Sequence, residues 1–464
     1  MLKKRFIKNS LLMTGTLVVT QIIAVMFNIY ISQKIGAEGM GIYRLVITVY
    51  AFSATFATSG ITLAVTRLVT DSIAFVRYGV AKRAVTICMS IGIALSSIAG
   101  TLLFFLSSKI GIDFLGDART VLSLKVLSAS LPFMSVSACF RGYFLAVRKV
   151  IKSASEQLFE QIIQIAVCIA IITPLCEKGL EYACCAVAIG TTVSEMGSCV
   201  YSAVLYFLDI RKYKAKSEKT DGTLKKLCSI GLPVMGSSCL RSGLSMYENT
   251  LIPSGLQKYG FTPENALAEY GVITGMAMPV LMFPAVFLSS FSTLMIPEMS
   301  EAKAENHTNG ISRMAKKVLK ATFLFIIPTT VFFLTFSDML GKLLYNRDDV
   351  GFYIKILALT VPFSYLDHVV DGMLKGLNQQ LHYFTYNIID SSIRVILAMF
   401  LIPHLGIRAI IIIMFVSTIL NSTLSTYRLI KVANIEIDVF NWIVKPAVIS
   451  AFTAFIILRF RTIF

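Results

Sequence analysis

From residue 124 the chain reads LKVLSASLPFMSVSACFRGYFLAV, and from residue 354 it reads IKILALTVPFSYLDHVVDGMLKGL. Each stretch is apolar enough and, at about 1.5 Å per residue, long enough to cross a hydrocarbon core of about 30 Å as one helix. The two align without a gap at an offset of 230, placing Lys125 over Lys355, Leu127 over Leu357, Pro132 over Pro362, Phe133 over Phe363 and Gly142 over Gly372. A membrane-length helix that occurs twice predicts a duplicated helical bundle.

The rest of the chain extends this pattern. Of its 464 residues 56% are hydrophobic and 15% charged, and the mean hydropathy is +0.74. A soluble domain with one core does not carry that balance, so the bilayer is the expected solvent. Apolar runs of spanning length recur at 10–33, 42–66, 84–107, 120–146, 157–176, 182–208, 227–256, 267–296, 318–337, 352–374, 383–402, 406–427 and 440–458. Every backbone amide in lipid must be satisfied within its own segment, and these runs are too uniformly apolar for barrel strands, which alternate. The sequence predicts an all-α polytopic membrane protein of about 13 transmembrane helices.

The offset of 230 also places the second span, opened by Gly41, over the eighth, opened by Gly271. The first falls over the seventh at a slightly smaller offset, with Gly15 over Gly236 and Asn28 over Asn249. The expected organisation is a six-helix bundle at 1–210, a basic linker at 211–226, a second six-helix bundle at 227–430 and an additional C-terminal span at 431–464.

The net charge of +17 could suggest nucleic acid, but Lys and Arg collect in alternate loops, the pattern that orients a membrane protein. The N-terminal MLKKRFIK and the linker residues Arg211, Lys212, Lys214, Lys216, Lys219, Lys225 and Lys226 are therefore expected on the cytoplasmic side. A C-terminus on the outer side, after Arg459 and Arg461, follows. The N-terminal apolar run is too long for a signal peptide and serves as the first span. The 9 cysteines lie in or beside apolar runs without Cys-x-x-Cys or His at ligand spacing. They read as small packing residues, and neither a metal nor a cofactor is expected.

The segment IGAEGMGIYRLVITVYAFSATFATSGITLAVTRLV at 35–69 resembles the opening signature of the stage V sporulation protein B group of polysaccharide exporters. YGVITGMAMPVLMFPAVFLSSFSTLMIPEMSEA at 270–302, with its paired prolines and closing Pro-Glu-x-Ser-Glu, is similar to the group's second signature, and LIPSGL closes the seventh span. That group shares a superfamily, MOP, with lipid II flippases and multidrug and toxin extruders. The resemblance extends over nearly the whole chain. It implies a V-shaped two-bundle fold with a central cavity opening alternately to each side, a bacterial cell-membrane location, and a polyprenyl-diphosphate-linked saccharide as cargo. Lipid II flippases carry several arginines on the first helix, whereas the first span here offers Thr14, Thr16, Thr20, Gln21 and Asn28 before Lys34. That departure argues against lipid II itself.

An ionisable residue in mid-span costs about 3 kcal/mol on insertion scales, so it should face a cavity or a partner. Arg241 and Glu248, two turns apart on the seventh span, share a face; they read either as contacts to a diphosphate and its neighbour or as ion pairs to other helices. Asn28 and Asn249 join them as cavity candidates. Arg44 suits phosphate through its planar donors, while Arg67 reads as a cytoplasmic anchor. Asp367 and Asp371, one turn apart around His368, repel one another, which suits uptake of a proton or sodium ion; a solvated helix end is the other reading of Asp371. Asp390 and Arg394 stand at i and i+4 in the favourable order for a local ion pair. Pro279 and Pro284 each remove a helical hydrogen bond near Gly275, giving hinges or static kinks.

No loop is long enough to supply catalytic chemistry and no P-loop is present, so no catalytic residue is assigned. Three readings stand: a flippase for a lipid-linked saccharide, a cation-coupled multidrug antiporter of the same fold, and a non-transporting scaffold for cell-wall synthesis. The partners expected are membrane lipids, the lipid-linked saccharide and a coupling ion.

Overall fold

The computed structural model describes residues 2–74, 77–211, 223–305, 308–435 and 440–461, so most of the expected linker at 211–226 lies outside them. Among the described residues the chain is helical throughout and contains no strand. Eight helices are long and apolar enough to cross a membrane, or up to 10 if each of two bent pairs counts as one span. The elements are compatible with 13 spans, because the first of these helices is broken at Gly36 and two others, at Thr223–Tyr259 and Lys445–Arg461, fall outside that set.

The first helix, α1 (Leu2–Ala74), fuses the two spans expected at 10–33 and 42–66. A single residue, Gly36 at φ 71 and ψ −174, turns the chain between them. No heavy atom lies within 4 Å of a Cβ placed there, so backbone conformation rather than space selects glycine. The connection is tight because Ile35, Ala37 and Met40 are buried and continue the apolar face through the turn. After it come α2 (Tyr78–Lys109), α3 (Thr120–Ser128), α4 (Leu131–Ala146), α5 (Val150–Cys176) and α6 (Leu180–Ile210). The second half runs through α7 (Thr223–Tyr259), α8 (Pro263–Tyr270), α9 (Met278–Met282), α10 (Ala285–Ala304), α11 (Thr308–Tyr345), α12 (Asp348–Leu357), α13 (Val361–Gly376), α14 (Gln380–Leu405) and α15 (Ile407–Ala433), with α16 (Lys445–Arg461) beyond it. Two compact units result, Met1–Phe27 with Lys34–Thr250, and Asn28–Gln33 with Leu251–Phe464.

The repeat is visible in the packing inside each unit. A Cβ on Gly142 would come within 2.8 Å of the Thr62 carbonyl oxygen, and one on Gly372 within 2.7 Å of the Ser292 carbonyl oxygen. Both residues of the second contact lie 230 positions after those of the first. The turns that follow also correspond, since Arg148 and Asn378 adopt φ 57 and φ 54. There the Lys149 amide donates to the Phe144 carbonyl, and the Gln379 amide donates to the Leu374 carbonyl. Glycine lets two helices touch along their backbones, where lipid gives no hydrophobic drive to associate.

Prolines mark the breaks. The α3–α4 pair bends by 48° just before Pro132, and the run Pro263–Met282 bends by 57° from the helix that follows Pro284. Gly275 sits in a π-helical turn at Gly271–Ala277, and Pro279 opens α9. The main break thus falls at Pro284, where the ring removes the backbone donor. The 8 described cysteines are free, and Cys88, Cys139, Cys168, Cys184 and Cys185 are buried.

Candidate functional site

α7 differs in chemistry from its neighbours. Although 37 residues long, it is not among the helices apolar enough to cross by composition. It carries Ser237, Ser238, Arg241, Ser245, Glu248 and Asn249 over a few turns. A helix of that composition in a bilayer has to present its polar face to water, to protein or to cargo. Arg241 is exposed and Glu248 is buried. Asn249 spends its amide on its own helix, donating to the Ser245 carbonyl at 2.8 Å. Asn28 and Arg44 are half-buried, each with one polar atom, Oδ1 and Nε, lacking a hydrogen bond. Asn28 belongs to the second unit, and the other four expected residues belong to the first.

Within the first unit an apolar cavity of about 590 Å³ opens beside α7, lined by Phe52, Phe56, Leu103, Leu106, Phe114 and Met246, with Lys109 and Asp113 as its charged members. Phe114 stacks on Tyr247 with ring centroids 6.5 Å apart.

In the second unit the expected acids are largely compensated. Lys375 lies 2.6 Å from Asp371 as an i, i+4 ion pair on α13, so the repulsion expected between Asp367 and Asp371 is relieved locally. Asp367 accepts from Asn421 of α15 at 2.9 Å and keeps its other oxygen without a partner. His368 is on the exposed surface of α13. Arg394 pairs with Asp390 at 3.2 Å, and Ser417 donates to the same carboxylate at 2.6 Å.

Among the described residues the largest buried charged cluster was not one singled out from sequence. α5 begins at Val150, two turns ahead of the expected 157, and this brings Glu156 into the bundle together with Glu160. On α6, Gly190 and Gly197 allow α5 to approach: added Cβ atoms would meet the Gln164 carbonyl oxygen at 3.2 Å and Ile163 Cδ1 at 2.6 Å. The close crossing sets Ser198 to donate to Glu156 at 3.1 Å and to Glu160 at 3.4 Å. Arg141 of α4 stands 3.6 Å from Glu156 and 3.7 Å from Glu160. Glu195, midway along α6, lies within electrostatic reach of all three. Glu156 is 0% and Glu195 4% exposed, and Oε2 of each has no hydrogen-bond partner. Arg141, Glu160 and Glu195 all fall inside spans read from the sequence. The rule that a charge at membrane depth needs a partner was signal enough to single out each of them, though not to say which of them meet.

Comparison with known proteins bears on the same regions. The model of a family described as polysaccharide biosynthesis protein matches residues 6–303, and the MatE model matches residues 233–400. Stage V sporulation protein B of Bacillus subtilis is 25% identical over 459 residues, covering 97% of this chain and 88% of that protein. An inward-facing multidrug resistance MATE family transporter of the MOP superfamily superposes with a TM-score of 0.70 at 14% identity, covering 89% of this chain and 96% of that one. A MOP superfamily transporter from Pyrococcus furiosus, described as having a binding pocket whose reverse polarity suggests a different function, superposes with a TM-score of 0.61 at 14% identity, over 92% and 96% of the two chains.

Proposed function

We propose, from the premise that this chain belongs to the polysaccharide biosynthesis protein family and is a membrane transporter of the MOP superfamily, that its cargo is a polyprenyl-diphosphate-linked saccharide moved by alternating access. The observation that carries this reading is the exposed guanidinium of Arg241 on the polar face of α7. A guanidinium at membrane depth is too costly to face lipid, and its planar donors match two oxygens of a diphosphate at once. The apolar cavity beside α7 supports the same cargo, since it offers a prenyl chain a surface of aromatic and aliphatic side chains. The N-terminus and the 211–226 linker belong on the cytoplasmic side of a bacterial cell membrane in this reading. Pro284 serves as the hinge candidate, because the bend is concentrated there.

The test is flipping of a fluorescent polyprenyl-diphosphate saccharide in vesicles containing the purified protein. Arg241→Ala should abolish movement while the protein stays folded and inserted, and Arg241→Lys should restore only part of it, because an ammonium lacks the bidentate geometry. Full transport by the Ala variant would refute the role. The MatE match over 233–400 favours a second reading, a cation-coupled drug antiporter, and efflux of a cationic dye by the wild type would select it.

A further inference from the structure

The Arg141, Glu156, Glu160 and Glu195 cluster has no part in cargo binding as proposed above, yet it concentrates more uncompensated acid than any other buried group of side chains described here. If all four were ionised, three carboxylates would share one guanidinium. Among the described residues, the groups that reach them from neighbouring elements add no second cation. Tyr50 of α1 senses Glu195, Glu160 and Arg141, and Cys199 of α6 senses Glu156 and Glu195. Lys149 and Lys152, the nearest lysines on α5 and its N-cap, are engaged by Asp209 at 2.5 Å and 3.0 Å. Two surplus negative charges in a bilayer interior cost far more than the hydrogen bonds from Ser198 return.

Protonation removes that cost. The unpartnered Oε2 atoms of Glu156 and Glu195 are where a proton would sit, since a neutral carboxylic acid tolerates a missing partner better than a carboxylate does. Arg141 lies beyond hydrogen-bond distance of Glu156 and Glu160, so it stabilises whichever carboxylate is ionised without locking either. Among the described residues no group of three His, Cys, Asp or Glu converges as a metal site, and a guanidinium among the acids repels a metal cation. We propose that this cluster in the first unit takes up and releases a proton in each transport cycle, so that a proton gradient drives the chain. The proposal rests on the transport reading but not on the choice of cargo.

Dicyclohexylcarbodiimide reacts with protonated carboxyl groups in apolar surroundings, which gives a test on the wild-type protein with no mutation to unfold it. Mass spectrometry of labelled membranes should find adducts on Glu156 or Glu195, increasing as the pH is lowered. Absence of adducts at every pH would overturn the proposal. In vesicles, an imposed pH gradient should accelerate movement of the lipid-linked saccharide, or of a cationic dye if the wild type moves that instead. Glu195→Gln and Glu160→Gln should lose the acceleration. Driving by a sodium gradient alone, or acceleration that survives in both variants, would overturn it as well. Labelling needs no cargo, so failure of the lipid reading leaves that arm intact.

Discussion

Position 141 on α4 holds an arginine, and the repeat-equivalent position 371 on α13 holds an aspartate; position 160 on α5 holds a glutamate, and its equivalent 390 on α14 holds an aspartate. Both halves therefore place ionisable groups at the same two points of the repeat. They balance them differently. In the second half the acid at each of these two points has a base one turn along its own helix, Lys375 for Asp371 and Arg394 for Asp390. Counterparts of those bases in the first half are Leu145 and Gln164. The first half instead relies on Arg141 alone, reached across helices, and adds Glu156 and Glu195. At these two points the second half is thus neutralised within single helices, whereas the first half shares one guanidinium among several acids.

The comparison can be broken by moving a base. Gln164→Arg would give Glu160 the partner one turn on that Arg394 gives Asp390, holding Glu160 as a carboxylate. The expected outcome is complete loss of pH-gradient acceleration with the protein still folded; retained acceleration would show that the missing base does not set the difference. Gln164 now donates to Thr191 at 2.9 Å, so Gln164→Ala serves as the control for losing that bond.

The reverse change belongs to stability. Removing Arg394 leaves Asp390, a buried carboxylate, with only Ser417, and Arg394→Ala should cost about 3 kcal/mol. Thermal unfolding in detergent should show that loss largely recovered in the Arg394→Ala, Asp390→Ala double variant, and an unchanged melting temperature in the single variant would deny the pairing its role. The smallest effect tests what the halves share. Gly142→Ala and Gly372→Ala each force a methyl against a backbone oxygen, at 2.8 and 2.7 Å, and once the Ser292 hydroxyl beside Gly372 has rotated aside each should cost about 2 kcal/mol. Clearly unequal losses would argue against equivalent packing.

Much of this was legible in the sequence, and the gaps have physical causes. The spans and the repeat follow from apolar runs and one shared offset, because a bilayer leaves so few ways to satisfy a backbone. Asp390 with Arg394 was readable because the pair is local to one helix. The Arg141 cluster was not read, since its partners come from α4, α5 and α6 and nothing local in sequence records which helices touch. Glu156 was hidden further, as the polar first turns of α5 made that helix look shorter than it is. The turn at Gly36 was not read, because runs bounded at 33 and 42 say nothing of how the residues between them are folded, and a single residue in one helix makes the turn.

The central claim is the nature of the cargo, and one measurement addresses it directly. Wild-type protein in vesicles would be offered a fluorescent polyprenyl-diphosphate saccharide and a cationic dye side by side, under the same imposed pH gradient. The account predicts that the lipid-linked saccharide crosses the bilayer and the dye does not. Dye movement with a static lipid would contradict it.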